Sequence, residues 1–376
     1  MMKTRLKILI ILLIAIVAIS TVSAVSAADI TINPNTPGGL KQAIASASPG
    51  DTIHLENGVY KGVDNTAVEI DKNINIKGKG SNVVFDGQGK SQIFSISKVK
   101  VSVTKISFKN GYSSGIGGAI ISSGILTINS CTFTNNKAPS GGGAVASGNE
   151  KSTLVVISST FTNNQATKNA DGTGGAIFTG GKSTVSKSTF TNNKAGRLGG
   201  AIYLVPGTTS TITSCTFKNN QAMKEDGGAI AGSFKSTVSK STFTNNQAKF
   251  GGGAISMVGT VSGSTFTNNK AGDHGGAISD VLTVSGSTFK NNKVTATKGG
   301  GGAIYTPTKL TVSKSTFTSN QAKYGGGAIV ASYDPIKIVD SKFNKNIAGK
   351  KYNAIDTSGK LTKKNVKITP KDGTKV

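Results

Sequence analysis

Two short motifs alternate along most of this chain and decide what it can fold into. Phe-x-x-Asn occurs at Phe133, Phe161, Phe190, Phe217, Phe243, Phe266, Phe289, Phe317 and Phe343, and a degenerate copy starts at Phe108. The matching asparagines are Asn136, Asn164, Asn193, Asn220, Asn246, Asn269, Asn292, Asn320 and Asn346. Between successive phenylalanines stands Gly-Gly-Ala-Ile/Val, with its alanine at nine positions from Ala119 to Ala328, and Asn353-Ala354-Ile355 is a worn further copy. Successive phenylalanines are 23 to 29 residues apart. Regular repeats of this length mean a solenoid or a propeller.

The repeats are β units. Each holds short β-branched runs such as Thr184-Val185-Ser186, Ser188-Thr189-Phe190-Thr191 and Ala201-Ile202-Tyr203, broken by Asn-Asn and Gly-Gly. No ten-residue stretch carries an apolar stripe of period 3.6, so helical solenoids are excluded. Three short strands with bends fill one coil of a parallel β-helix, whereas a propeller blade needs about 40 residues. The expected fold is an all-β, single-stranded parallel β-helix of roughly 12 to 14 coils. In such a coil the apolar side chains enter a shared bore, so Phe stacks on Phe, Ile on Ile and Ala on Ala. Asn at one bend can donate its amide to a neighbouring carbonyl as a ladder. Gly at another permits positive φ or tight approach. The Phe and Asn series is therefore read as architecture.

The open ends of a solenoid need covers. Gly39 to Ala47 reads as a short amphipathic helix, and Pro49-Gly50-Asp51 turns from it into a strand, Thr52 to Leu55. Leaner coils follow around Val68 to Ile76, Val83 to Phe85 and Ile93 to Ile96, and the Lys-rich end carries one weak strand, Val366 to Ile368. His54 lies in the cap strand and reads as structural. The expected division is 1–27 signal peptide, 28–60 cap and first coil, 61–356 β-helix with the paired motifs in 101–356, and 357–376 a tail or last coil.

Lys3, Arg5 and Lys7 precede an apolar run from Ile8 to Ile19 and a small-residue stretch ending at Ala27. This is the layout of a secretory signal with cleavage after Ala27, which if retained would be an N-terminal anchor. Twelve apolar residues are fewer than the roughly 20 that span a bilayer, so no transmembrane domain is expected in the mature chain. Export invites a disulfide between Cys131 and Cys215. Both stand two residues before a repeat phenylalanine, three units apart, which places them roughly 14 Å apart. A disulfide bridges Cα atoms within about 7 Å, so two buried free thiols are expected.

The pairing of Gly-Gly-Ala-Ile with Phe-x-x-Asn over residues 101–356 closely resembles the repeat of chlamydial polymorphic membrane proteins and of adhesin-like surface proteins of methanogenic archaea. The segment from Ala43 to Tyr60 resembles the N-terminal cap of pectin-lyase-like β-helices. The resemblance implies a right-handed helix and an exported, surface-associated protein acting in adhesion or cell-envelope interaction.

Charge points the same way. The chain has 43 Lys and Arg against 17 Asp and Glu, a net charge of +26, and attracts polyanions. Nucleic acid is not the expected partner, because the aromatic residues sit in inward register and offer no stacking platform. Lys187, Lys240 and Lys314 stand three residues before a repeat phenylalanine, and Lys137, Lys194, Lys270 and Lys293 four after one. All should project outward; Lys187, Lys240, Lys314, Lys194 and Lys270 are the candidate ligand-binding residues. The partner expected is an acidic polysaccharide or cell-envelope polymer, with other cells as further partners.

Catalysis has a weaker case in the sequence. Glycoside hydrolysis wants two carboxylates roughly 5 to 10 Å apart, yet Asn110 to Val330 holds only Glu150, Asp171, Glu225, Asp226, Asp273 and Asp280. The best constellation is Arg197, Glu225, Asp226 and Asp273 with His274, all just before Gly-Gly pairs and hence on one corner. An exposed ion pair between coils explains these residues equally well. No metal-ligand spacing occurs and no cofactor is expected. The expectation is a non-enzymatic binding protein, with a polysaccharide lyase or glycoside hydrolase at that corner as the alternative.

Overall fold

The computed structural model describes residues 27–370 apart from 168–170, 298 and 334. The signal segment, Ala27 excepted, and residues 371–376 lie outside the described residues. The described chain winds into a parallel β-solenoid of about 13 turns with one short helix. Sheets of 24, 13 and nine strands line its sides. Every ladder of the 24- and 13-stranded sheets is parallel, and residues of one motif stand over the same motif in the next coil. Thus Thr242, Phe243 and Thr244 pair with Thr265, Phe266 and Thr267.

Most repeat coils carry four strands where the sequence suggested three. The additional one is the Gln/Lys-Ala pair after the ladder asparagine, such as Lys194–Ala195 or Gln247–Ala248, which forms the nine-stranded sheet. Two residues are too few to show an alternation of polarity, so periodicity could not reveal it. The 24-stranded sheet usually takes two strands per coil, one from Ala-Ile-Tyr and one from Thr-Val-Ser. In the two coils spaced at 23 residues these fuse into single eight-residue strands, Ile255–Ser262 and Ile278–Ser285.

Alternation sends one face of each strand into the bore. The Phe-x-x-Asn phenylalanines from Phe133 to Phe317 are fully buried. From Phe133 to Phe343 their ring centroids are 4.7–4.9 Å apart and their planes within 6° of parallel. Each buried ring contributes about 1.5–3 kcal/mol by leaving water.

The asparagine ladder is continuous from Asn136 to Asn346. Each Nδ2 donates to the Phe carbonyl of the preceding coil and, up to Asn320, to the next Oδ1, as Asn193 does to Phe161 and to Asn220 at 3.0 Å each. A second ladder was not apparent from the sequence. Ser159, Ser188, Ser241, Ser264, Ser287, Ser315 and Ser341 each turn a hydroxyl to the carbonyl two residues back and accept an amide N–H from the preceding coil. Cys131 and Cys215 occupy the serine position of this ladder, and both are free and buried.

The Gly-Gly pair does two separate jobs. Gly199 has φ of 63°, a left-handed conformation that a side chain resists. A Cβ on Gly200 would stand 2.1 Å from the Gly228 carbonyl oxygen in the next coil.

The helix Gly39–Ser46 forms where expected and buries Leu40, Ala43 and Ile44. An unforeseen strand, Asp29–Ile32, pairs with Thr52–Leu55 ahead of the first full coil. The chain end, expected as a tail or last coil with one weak strand at Val366 to Ile368, makes a coil with two strands. Leu361–Lys364 pairs with Ile336–Val339, and Lys367–Thr369 with Lys342–Asn344. No helix among the described residues is long and apolar enough to cross a membrane.

Candidate functional site

The proposed contact lysines fall in two rows. Lys187, Lys240 and Lys314 occupy the turn between the 24- and 13-stranded sheets, each with φ near 50°. Lys194 and Lys270 open strands of the nine-stranded sheet, where Lys270 pairs in register with Gln247 on one side and Lys293 on the other. All five, with Lys137 and Lys293, are exposed. The rows lie on different sides of the coil, because a complete strand and the Asn bend separate them.

The corner before the Gly-Gly pairs gathers the charged constellation, with a division that spacing did not reveal. Arg197 Nε donates to Glu225 Oε1 at 2.7 Å across neighbouring coils. Asp226 turns the other way and accepts the Gly251 N–H at 2.6 Å. His274 Nδ1 lies 3.3 Å from Asp273 Oδ2, and its ring lies so close over Gly251 that a Cβ there would collide with it. Asp226 and His274 therefore flank the same glycine.

Two tyrosines complete this corner, and sequence reasoning missed both. Tyr203 and Tyr305 follow the inward isoleucine of Gly-Gly-Ala-Ile, so alternation turns them outward beside the Gly-Gly turn. The available signal was that Ala231, Ser256 and Ser279 fill this register position in the intervening coils. The Tyr305 ring lies 4.6 Å from His274, centroid to centroid, and Tyr203 lies 5.7 Å from Phe178.

The electrostatics follow from burial. The Asp226 carboxyl is pushed above its ordinary value, first by burial, with the Gly251 N–H and His274 pulling it back. Burial also raises the Tyr203 hydroxyl while Arg197 opposes the shift. The hydrogen bond to Glu225 raises Arg197 further above its already high value. The corner thus offers a carboxyl that keeps its proton longer than most, an imidazole, two phenols and one guanidinium. His54, in the cap, lies 3.1 Å from Asp29.

No curated protein matches the chain. A similar solved structure is a mannuronic acid specific polysaccharide family 6 lyase from human gut microbiota, 10% identical with a TM-score of 0.43, covering 89% of this chain and 82% of that one. So distant a likeness assigns no residue a role. That protein is an enzyme, so the expectation of a non-enzymatic chain, argued from scarce carboxylates, is not kept, and its chemistry is not carried over to this chain. The model of the right handed beta helix region matches residues 100–271 and, overlapping, 174–343. These matches take in the stacked phenylalanines and the asparagine ladder, and the chain belongs to the right-handed β-helix family.

Proposed function

We propose that this chain is an exported, adhesin-like surface protein that holds an acidic polysaccharide of a cell envelope or of its surroundings. One observation carries the reading: the positive charge is not compensated within the molecule. Among the described residues, the lysine–carboxylate ion pairs are Lys79–Glu56 at 3.2 Å and Lys109–Asp86 at 3.3 Å, against a net charge of +26. Lys270 and Lys293 stand side by side in register, about 4.8 Å apart along the stack. Like charges held so close repel, and a polyanion drawn to the molecule relieves the repulsion. Lys187, Lys240, Lys314, Lys194 and Lys270 are its proposed long-range attractors. A glycan array read at two salt concentrations tests this: acidic glycans should bind and weaken steeply with salt, and retention of neutral glycans alone would refute it.

A second reading has its own support at the corner of Arg197, Glu225, Asp226 and Asp273. There His274 lies against Tyr305 and close to the half-buried Asp226, a base and an acid on one surface. In a β-elimination His274 would take the proton next to the uronate carboxylate. The glycosidic C–O bond would break, a C=C bond would form, and Tyr305 would protonate the departing oxygen. Arg197 can pair with a uronate if it gives up Glu225. Incubation with polyuronates should yield ultraviolet-absorbing unsaturated ends, lost in His274→Ala. Unchanged chain length on prolonged incubation would remove this reading and leave the first.

A further inference from the structure

We propose that the acidic polysaccharide is seated in a groove that the lysine rows do not include, along the corner where the two halves of the 24-stranded sheet meet. The inference rests on the binding function proposed above and adds the place. A hollow of about 870 Å³ opens there across four coils, its lining including Lys98, Lys100, Ile125, Asn149 and Lys151. A second hollow of about 410 Å³ continues it past Glu150 to Lys182 and the turn at Pro206. From Asn73 to Pro206 the corner spans six coils, hence about 24 Å at about 4.8 Å per coil.

The repeat lengths explain why a groove forms here. From motif alanine to the next phenylalanine is 12 residues where the two strands fuse, at Ala254 to Phe266 and Ala277 to Phe289. It is 14 at Ala119 to Phe133, 17 at Ala144 to Phe161 and 16 at Ala201 to Phe217. The surplus emerges at this corner as turns of unequal height, 148–152 and 205–209 standing beside the shorter 123–124 and 180–181. Tall turns wall the hollows and short ones floor them. Gly124 and Gly181 keep the floor low, since a Cβ on either would stand 2.1 Å from a carbonyl oxygen of the neighbouring turn, Val99 and Ser152 respectively.

The chemistry of the lining suits a polyuronate. Lys98, Lys100, Lys151 and Lys182 are exposed and outnumber the one carboxylate, Glu150. Each makes no ion pair among the described residues, so none must be released from a carboxylate to meet a ligand. Asn73, whose Oδ1 accepts the Lys100 N–H at 2.7 Å, can turn its amide N–H to a sugar hydroxyl, while Asn149 ties the turn together through Ser123 and Lys151. Ile125 is 43% exposed on the floor, and Phe234, 44% exposed, continues the corner in the next coil, where Ser233 Oγ donates to the Thr208 carbonyl. Apolar side chains between cations match a sugar ring, which has an apolar face and a charged edge.

Two charge-matched triple variants separate a seat from diffuse attraction, with polygalacturonate as the probe in titration calorimetry at fixed salt. Lys98→Ala with Lys100→Ala and Lys151→Ala should weaken binding tenfold or more. Lys218→Ala with Lys290→Ala and Lys342→Ala, removing the same charge from the outward face of the 13-stranded sheet, should weaken it less than threefold. All six side chains are exposed, so both variants should keep the wild-type thermal midpoint, which is measured alongside. Equal weakening, or the larger loss in the second variant, would overturn the groove and leave the binding function standing. Failure of the wild-type chain to bind polygalacturonate and other polyuronates would overturn both.

Discussion

The side-chain amide of Asn246 donates to Oδ1 of Asn269 in the next coil at 3.0 Å, and the same oxygen accepts the Asn246 backbone N–H at 3.0 Å. One carboxamide per coil thus closes a bend that would otherwise bury unpaired backbone groups. Asn246→Ala strands the Asn220 backbone N–H, costs the Asn220 amide one of its two acceptors, leaving it the Phe190 carbonyl, and takes the amide donor from the Phe217 carbonyl. At about 1–3 kcal/mol per orphaned group, incompletely additive, the expected loss is about 3–6 kcal/mol by denaturant unfolding. Asn246→Asp should cost as much at neutral pH, because its second oxygen would face the acceptors Phe217 O and Asn269 Oδ1. A loss below about 1 kcal/mol for both would show that the ladder contributes little.

Phe243 and Lys240 test which way the chain faces. Phe243 lies 4.8 Å from Phe217 and from Phe266, fully buried, and Phe243→Ala should cost about 3–5 kcal/mol because stacked coils cannot collapse into the cavity. Lys240→Ala should change stability by less than about 0.5 kcal/mol. Lys240 has φ of 49°, while Gly263 and Gly286 hold the same turn in the next two coils at 54°. Lys240→Gly should therefore stabilise by up to about 1 kcal/mol, relief of left-handed strain outweighing the added freedom of the unfolded chain.

The two thiols should be inert in the folded chain. Burial pushes Cys131 up to about 12 and Cys215 up to about 11, so neither supplies thiolate at neutral pH. A thiol reagent should count no reactive cysteine before unfolding and two after. Cys215→Ser restores the hydroxyl that the neighbouring rungs carry and should stabilise by up to about 1 kcal/mol. Fast labelling of the native protein would contradict this assignment.

Asp226 and Asp51 should give stability opposite pH slopes. Burial holds Asp226 above its ordinary value, so the folded chain binds this proton more tightly and its contribution falls as pH rises through that raised range. Asp226→Asn, which keeps an oxygen for Gly251, should raise the thermal midpoint at neutral pH, with the gain vanishing in acid. Asp51 accepts the Ala28 and Ser48 N–H groups at 2.7 and 2.8 Å, which lowers its value. Its contribution is present above the ordinary carboxylate range and is lost as pH falls through the lowered one. Asp51→Asn should therefore destabilise at neutral pH and converge with wild type in acid. Parallel pH curves for either variant and wild type would refute the corresponding assignment.

Architecture was legible because a solenoid prints its own register in the sequence. Phe133, Phe161 and Phe190 recur because each must fit the ring above it, and the helix over Leu40 and Ala43 showed in its apolar spacing. The serine ladder escaped notice because Ser188 and Ser241 sit among many other serines and threonines, with only Cys131 and Cys215 marking the column. The corner constellation was half legible. Arg197, Asp226 and Asp273 could be placed from their distance to Gly-Gly, but not which carboxylate Arg197 selects, which depends on the direction each side chain takes at the bend. Tyr203 and Tyr305 read as ordinary strand residues. The groove was hidden in spacing: unequal repeat lengths were plain, but not where in the coil the surplus emerges.

The in-register stacking also fixes how the rod answers a pull on its ends. Each coil winds 23 to 29 residues into about 4.8 Å of axis, whereas the same stretch drawn straight reaches about 80–100 Å. Tension that peels one coil from an end releases nearly twenty times the length it removes, and within 133–343 the next coil meets the force with the same Phe and Asn rungs. Extension should proceed in equal-force steps of unequal size, the smallest at the two 23-residue coils. Such a chain behaves as a ratcheted spool of tether, held wound by its asparagines and phenylalanines.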